Sequence, residues 1–296
     1  MSELLFHKTV LLQEVLEYLD PKPGKIYIDA TFGSGGHTKG ILEHEKKCSV
    51  IAVDWDKISL ETYKQAFEEL YGDRVAFLWG NFAHLYKLLK KQKITKVDGI
   101  LADFGTSQMQ ILQREGFSFF RETRLDMRMS HSHYTVTAER IVNEASAEEL
   151  AEIFWRYGQE VKARTIAKKI IEERKKKRIR TTKDLALIVE SIISPKGRRV
   201  HPATKVFQAL RICVNKELEN IHSFLQIAPS FLNKGGRLAC ISFHSLEDRM
   251  VKQAFQEGEQ KGILKIITKH MISPSDQEIQ VNPSARSACL RVAERI

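Results

Sequence analysis

Cysteine is scarce and scattered in this chain. The four, Cys48, Cys213, Cys240 and Cys289, form no CxxC pair. That spacing excludes a compact zinc site and a small disulfide framework, and no metal site is expected. Their apolar neighbours predict buried thiols. Long apolar runs are missing too. None approaches the ~20 residues that span a bilayer. The stretch 1–9 lacks a basic start followed by an apolar segment, so no signal peptide and no membrane partner are expected. Internal repeats and low-complexity tracts are also absent. A cytoplasmic, globular chain is the expectation.

Acidic residues are in deficit. There are 47 Lys and Arg against 37 Asp and Glu, a formal charge of +10 over 296 residues. An excess of this size favours a polyanionic partner but does not specify a fold. At 43% hydrophobic, the chain can fill one large domain with an insertion, or two domains.

Strands and helices alternate along the first third. Buried strands are expected at 25–29, 49–54, 75–78 and 97–103, with helices over about 7–19, 37–45 and 59–71 between them. Such alternation implies an α/β fold with a parallel sheet covered on both faces. From about 110 to 201 the pattern stops and helical periods replace it. Leu150, Ile153, Phe154 and Tyr157 share one face. Thr181 with Asp184 marks a helix start before an apolar run. After 203 two helices precede a fifth strand at 237–243, and two more strands are expected between 263 and 296. The expected organisation is a sheet domain from 1–109 and 206–296, with a helical insertion from 110–205.

The chemistry centres on the first strand-to-helix turn. Asp29 ends a strand, and Gly33-Ser34-Gly35-Gly36 leads into a helix. Glycines let backbone approach a ligand closely, and in an open parallel sheet the ligand sits beyond the carboxyl strand ends. Asp54 ends the second strand, 18 residues after Gly36, where a carboxylate can take both hydroxyls of an adenosine ribose. A dinucleotide fingerprint would want Gly or Ala where Thr38 stands, and a P-loop would want Gly-Lys-Ser/Thr. Neither is present. Acidic strand ends at Asp29 and Asp103 suit the sulfonium and ammonium of S-adenosylmethionine better than a pyrophosphate. Asp103 either accepts a hydrogen bond from a target amine or only contacts the cofactor; both readings stand at this point. Phe104 and Phe243 are candidates to stack on a target base or to be core, and His244 to touch the target or to be structural. Between Lys162 and Arg180 lie ten Lys or Arg and two Glu, a run suited to phosphates or to a solvated helix face.

The run Asp29-Ala30-Thr31-Phe32-Gly33-Ser34-Gly35-Gly36-His37 resembles the cofactor loop of the bacterial ribosomal RNA small subunit methyltransferase H family. Further matches span almost the whole chain: Gly116-Phe117-Ser118-Phe119, Leu125-Asp126-Met127-Arg128-Met129, His201-Pro202-Ala203-Thr204, Ser242-Phe243-His244-Ser245 and Asn282-Pro283-Ser284-Ala285. The resemblance implies a class I, Rossmann-like methyltransferase sheet with an inserted helical domain for RNA recognition. It implies transfer of a methyl group from S-adenosylmethionine to the exocyclic N4 amine of a cytosine in 16S ribosomal RNA near the decoding centre. It places cofactor contacts on Gly35, Gly36, His37, Asp54, Phe82, Asp103 and Gln110. The partner it implies is small-subunit RNA in an assembled or nearly assembled subunit, met by a monomer or homodimer. After the fourth strand the family reads Asp-Leu-Gly-Val-Ser-Ser-Pro-Gln, whereas this chain has Asp103-Phe104-Gly105-Thr106-Ser107-Gln108-Met109-Gln110. Amine methylation of DNA is a rival reading, disfavoured by the absence of an Asp/Asn-Pro-Pro-Tyr/Phe tetrapeptide. A non-enzymatic RNA-binding factor is another, disfavoured by Gly35, Gly36, Asp54 and Asp103.

Overall fold

In the computed structural model the residues described are 8–105, 114–198 and 200–296. The chain divides into two compact units, Met1–Gly105 with Leu218–Ile296, and Thr106–Glu217.

The first unit is built on seven strands: β1 (Ile26–Asp29), β2 (Ser49–Asp54), β3 (Val75–Trp79), β4 (Val97–Asp103), β5 (Leu232–Ser242), β6 (Leu264–Ile266) and β7 (Cys289–Arg295). Their order across the sheet is β3-β2-β1-β4-β5-β7-β6. β1 to β5 pair in parallel, and β7 runs antiparallel to both β5 and β6. Successive residues alternate between two cores. Tyr27, Val50, Ala52, Leu101 and Ala239 belong to one. Ile28, Ile51, Val53, Ile100 and Leu238 belong to the other. Strands buried on both faces need no polar side, which explains their near-continuous apolar sequences.

Helices α1 (Leu12–Leu19), α2 (Gly36–His44) and α3 (Lys57–Tyr71) supply the first core with Val15, Ile41 and Phe67. Helix α4 (Leu85–Lys91) supplies the second with Leu85 and Leu89. The strand order reverses between β1 and β4, so the crevice beyond their carboxyl ends is where such a sheet takes a ligand.

The second unit holds α5 (Ala138–Glu144), α6 (Ala147–Gly158), α7 (Ala163–Lys176), α8 (Thr182–Glu190) and α9 (Thr204–Asn215). Capping boxes start α6 at Ser146 and Glu149, and α8 at Thr181 and Asp184. Its core is separate and includes Leu150, Phe154, Ile166, Ile170 and Leu185. Helix α9, which periodicity alone places with the sheet, contributes Val206, Phe207 and Leu210 to this helical core. Gly158 is where α6 and α9 meet: a Cβ there would lie 2.5 Å from the Lys205 carbonyl oxygen.

The chain then returns to the first unit through α10 (Glu217–Phe231), followed after β5 by α11 (Ser245–Gln260), and after β6 by α12 (Asp276–Val281). Phe224 and Leu225 of α10 and Val251 and Phe255 of α11 complete the second sheet core. Cys48 and Cys240 are buried as expected, whereas Cys213 and Cys289 are half-buried. No helix among the described residues is long and apolar enough to cross a membrane.

Candidate functional site

Asp29 does not face outward from its strand end, as the sequence suggested. It is fully buried. One oxygen accepts the Thr38 hydroxyl (2.7 Å) and the other the Thr31 N–H (3.2 Å). Burial pushes its pKa up to about 6 against those hydrogen bonds. Asp29 thus fastens the β1–α2 loop to the start of α2. Thr38, the residue that breaks the dinucleotide fingerprint, is its anchor. Thr31 does a second job: its hydroxyl accepts the Asp103 N–H at 2.7 Å and ties the β1 loop to the end of β4.

The glycines of this loop have reasons internal to the protein. Gly35 is left-handed (φ +84°), and a Cβ on it would strike the rings of Phe67 and Phe32. A Cβ on Gly36 would strike the Thr9 hydroxyl. Helix α2 starts here, and the Gly35 cap offers no side-chain acceptor to its first N–H groups. An uncapped helix start is a place for an anionic group.

Asp54 lies where the sequence placed it, at the carboxyl end of β2. Its two oxygens accept the Gly33 N–H (2.7 Å) and the Asp56 N–H (2.8 Å). Only 7% of the residue is exposed, and burial pushes its pKa up to about 7. Each oxygen keeps a lone pair, so further donors are accommodated. Next to it stands Trp55, which sequence reading missed. Its ring and that of Phe82 lie 6.2 Å apart at 50°. Phe82 is fixed from behind by Phe104 (5.8 Å) and Phe224 (5.6 Å). The turn that carries it is held by Asn81, whose amide donates to Asn220 (3.1 Å) and whose oxygen caps Ala83.

Asp103 ends β4 with an excess of acceptors around it. His37 Nε2 donates to the Val10 carbonyl at 2.9 Å, and its Nδ1 faces Asp103 Oδ2, 3.9 Å away. Burial lowers the His37 pKa, opposed by the Asp103 carboxylate and the hydrogen bond to Val10. Burial likewise pushes Asp103 up to about 6, opposed by His37. Asp103 Oδ1 is enclosed yet has no hydrogen-bond partner among the described residues. A buried acceptor left unpaired costs roughly 1–3 kcal/mol, so this atom is arranged for a donor that the described residues do not provide.

A similar deficit marks the end of β5. His244 caps α11, its Nδ1 accepting the Glu247 N–H at 3.4 Å. Glu247 is fully buried, and one oxygen accepts the Phe243 N–H at 2.7 Å. Its other oxygen lies 3.2 Å from His244 Nε2 without hydrogen-bond alignment, and both atoms are otherwise unpaired. Phe104 is core, 7% exposed. Phe243 packs against Gly105, where a Cβ would lie 2.6 Å from its ring. Gln110 lies outside the described residues.

The basic run of the helical unit is partly structural. Arg174 donates to the carbonyls of Val142 and Ala145. Lys176, Lys177 and Arg178 pair with Glu173, Asp184 and Glu139. These pairs are largely solvent-exposed on the basic side, so each contributes little to stability.

The doubly covered sheet, its reversal between β1 and β4, and acceptor-rich strand ends beside an aromatic wall define a class I, Rossmann-like methyltransferase. The chain matches the MraW methylase family over residues 4–296 and belongs to it. It is 46% identical over 293 residues to the ribosomal RNA small subunit methyltransferase H of Endomicrobium trichonymphae, covering 98% of this chain and 99% of that protein. The protein of the same description from Ehrlichia canis is 44% identical over 299 residues, covering 98% and 100%. Among solved structures, an rRNA methylase from Streptococcus thermophilus aligns at 12% identity and TM-score 0.44, over 96% of this chain and 93% of that one. TrmN from Thermus thermophilus aligns at 14% and 0.46, over 97% and 48%. S-adenosylmethionine is the cofactor of this methyltransferase.

Proposed function

We propose that this protein methylates small-subunit ribosomal RNA in the cytoplasm, at the N4 amine of a cytosine near the decoding centre, in an assembled or nearly assembled subunit. The resemblance of its motifs and the relatives at 44–46% identity support this reading. The observation that carries the chemistry is the enclosed Asp103 Oδ1, which no described residue pairs, on a carboxylate whose other oxygen faces His37.

Bound S-adenosylmethionine supplies an electrophilic methyl group on a sulfonium. Asp54 takes the ribose hydroxyls on its free lone pairs, and Trp55 and Phe82 flank the adenine. The uncapped start of α2, at Gly35, Gly36 and His37, receives the carboxylate. Asp103 would accept from the ammonium, with His37 beside it. Gln110, matched by resemblance, completes the set. These residues fit the group: an enclosed carboxylate acceptor suits the cation and an uncapped helix start suits the anion.

Asp103 has a second task. An exocyclic amine is a weak nucleophile because its lone pair is delocalised into the ring. A carboxylate that accepts its N–H would restore electron density as the nitrogen rehybridises. As the N–C bond forms the S–CH3 bond breaks, and its electron pair stays on sulfur as the neutral thioether of S-adenosylhomocysteine. The carboxylate takes the proton lost from nitrogen. Holding the reactants in line supplies the remaining acceleration.

The test is methyl transfer from labelled S-adenosylmethionine to small subunits isolated from cells lacking the protein, followed by nuclease digestion and mass spectrometry. One N4-methylated cytidine near the decoding centre is expected. Label elsewhere, or on a carbon or ring nitrogen, contradicts the reading.

A further inference from the structure

We propose that Phe120, backed by Phe119 and His201, is a platform on which an unpaired RNA base stacks during substrate recognition. This rests on the reading of the protein as an RNA methyltransferase. It adds a base-binding site within the helical unit that neither the cofactor residues nor the basic run supplies.

Phe120 is 82% exposed, a higher value than for any other large hydrophobic residue described. Its ring is the exposed member of an aromatic cluster. The Phe119 ring lies 4.6 Å away, tilted by 45°, His201 meets Phe120 edge-on at 6.0 Å, and Phe119 stacks on His201 at 4.5 Å and 22°. Phe119 also meets Phe207 of the helical core edge-on at 5.2 Å. His201 cannot swing away. Its Nδ1 accepts the Ala203 N–H at 3.2 Å, and its Nε2 lies 3.2 Å from Glu190. The exposed ring therefore has rigid backing, so holding it in place for a ligand costs little conformational entropy.

The backbone places this stack between two basic segments. The Arg121 carbonyl accepts the Thr182 hydroxyl (2.6 Å), and the Thr123 carbonyl accepts the Thr182 N–H (3.0 Å). The Arg180 carbonyl accepts the Leu125 N–H (2.9 Å). These bonds sew the segment after Phe120 to the end of the 174–183 run. On the other side, His201 follows the exposed Lys196 and Arg198. Aromatic faces flanked by cations are how proteins hold single-stranded nucleic acid: the cations track phosphates and the ring takes a base of any identity. Cations outnumber the nearby Glu122, Asp184 and Glu190, so the surrounding charge favours a polyanion over a protein.

The test uses the full chain and a short unstructured RNA carrying 2-aminopurine, whose fluorescence is quenched on stacking. Wild-type protein should quench the probe. Phe120→Ala should abolish the quench and weaken binding roughly 5- to 150-fold, with the slope of log affinity against log salt unchanged. Phe120→Trp should restore both. Because the ring is exposed, melting temperature and calorimetric cofactor affinity should match wild type in both variants. Unchanged quench and affinity in Phe120→Ala would overturn the platform, as would a loss that Trp does not restore. If Phe120→Ala binds RNA normally but fails to methylate protein-containing subunits, the ring meets a protein and the inference falls. Failure of the broader reading shows separately, as a wild-type protein that methylates no small-subunit RNA.

Discussion

The two units differ less in size of core than in charge. Residues 106–217 carry 23 Lys and Arg against 14 Asp and Glu; the rest of the chain carries 24 against 23. Nearly the whole net charge of +10 therefore belongs to the helical unit. The sheet unit instead concentrates its polarity in a few buried carboxylates at strand ends, Asp29, Asp54 and Asp103, each pushed up by burial. A small cationic cofactor is held by few, enclosed, well-placed acceptors. A long polyanion is held by many exposed cations, each individually weak. On the proposed function the contrast amounts to two electrostatic strategies in one chain, and variants should separate them.

The largest effect is expected at Asp103. Asp103→Asn keeps the shape and removes the charge. Its single-turnover rate should fall by roughly 100-fold or more, and saturating cofactor should not restore it. Full recovery at saturation would reduce Asp103 to a cofactor contact.

Next comes Asp54→Ala. Each charge-assisted hydrogen bond lost is worth about 1.5–3 kcal/mol, so cofactor affinity measured by calorimetry should drop at least tenfold, with the fold retained. A folded variant with normal affinity would remove Asp54 from the ribose site.

Thr38→Val should act on stability first. It leaves a fully buried Asp29 oxygen without its hydroxyl donor, costing about 1–3 kcal/mol in denaturant unfolding. An unchanged midpoint would mean that the loop is fastened elsewhere.

The smallest effect is on pH dependence. Asp29 and Asp103 titrate near 6 and Asp54 near 7 in the folded chain, against an ordinary 3.8. Between those limits the unfolded chain has released protons that the folded chain still holds. Stability of the cofactor-free protein should therefore fall as pH rises from about 4 toward 7. Cofactor affinity should move the opposite way, because ionised Asp54 and Asp103 are the better acceptors. Calorimetry in buffers of different ionisation enthalpy should show proton release on binding near pH 6; proton uptake would contradict the assignment.

Local pattern made much of this legible. β2 and β4 match their expected bounds to the residue, because each carries an apolar core, 50–53 and 99–102, that ends in an aspartate. Thr181 and Asp184 announced α8 through a capping box. What stayed hidden depended on side-chain direction and distant partners. Nothing near Asp29 says that Thr31 and Thr38 each donate to one of its oxygens and hold it inside the protein. The glycine signal was read as ligand approach, whereas Phe32, Phe67 and Thr9 also exclude a Cβ at Gly35 and Gly36. Trp55 was passed over because one aromatic after a strand end carries no pattern until Phe82 faces it. β5 begins at Leu232, five residues ahead of the strand expected at 237–243, because Gly235 at φ +80° bends within the strand.

The division of labour between the units has one direct test: the salt dependence of RNA binding, measured side by side on Asp54→Ala and on the variant with Lys175, Lys176, Lys177 and Arg178 all changed to Gln. Asp54→Ala should keep the wild-type slope. The basic-run variant should show a slope shallower by up to about three, given roughly 0.7 per phosphate contact on a single strand. Equal slopes in the two variants would contradict the assignment of RNA binding to the helical unit's cations.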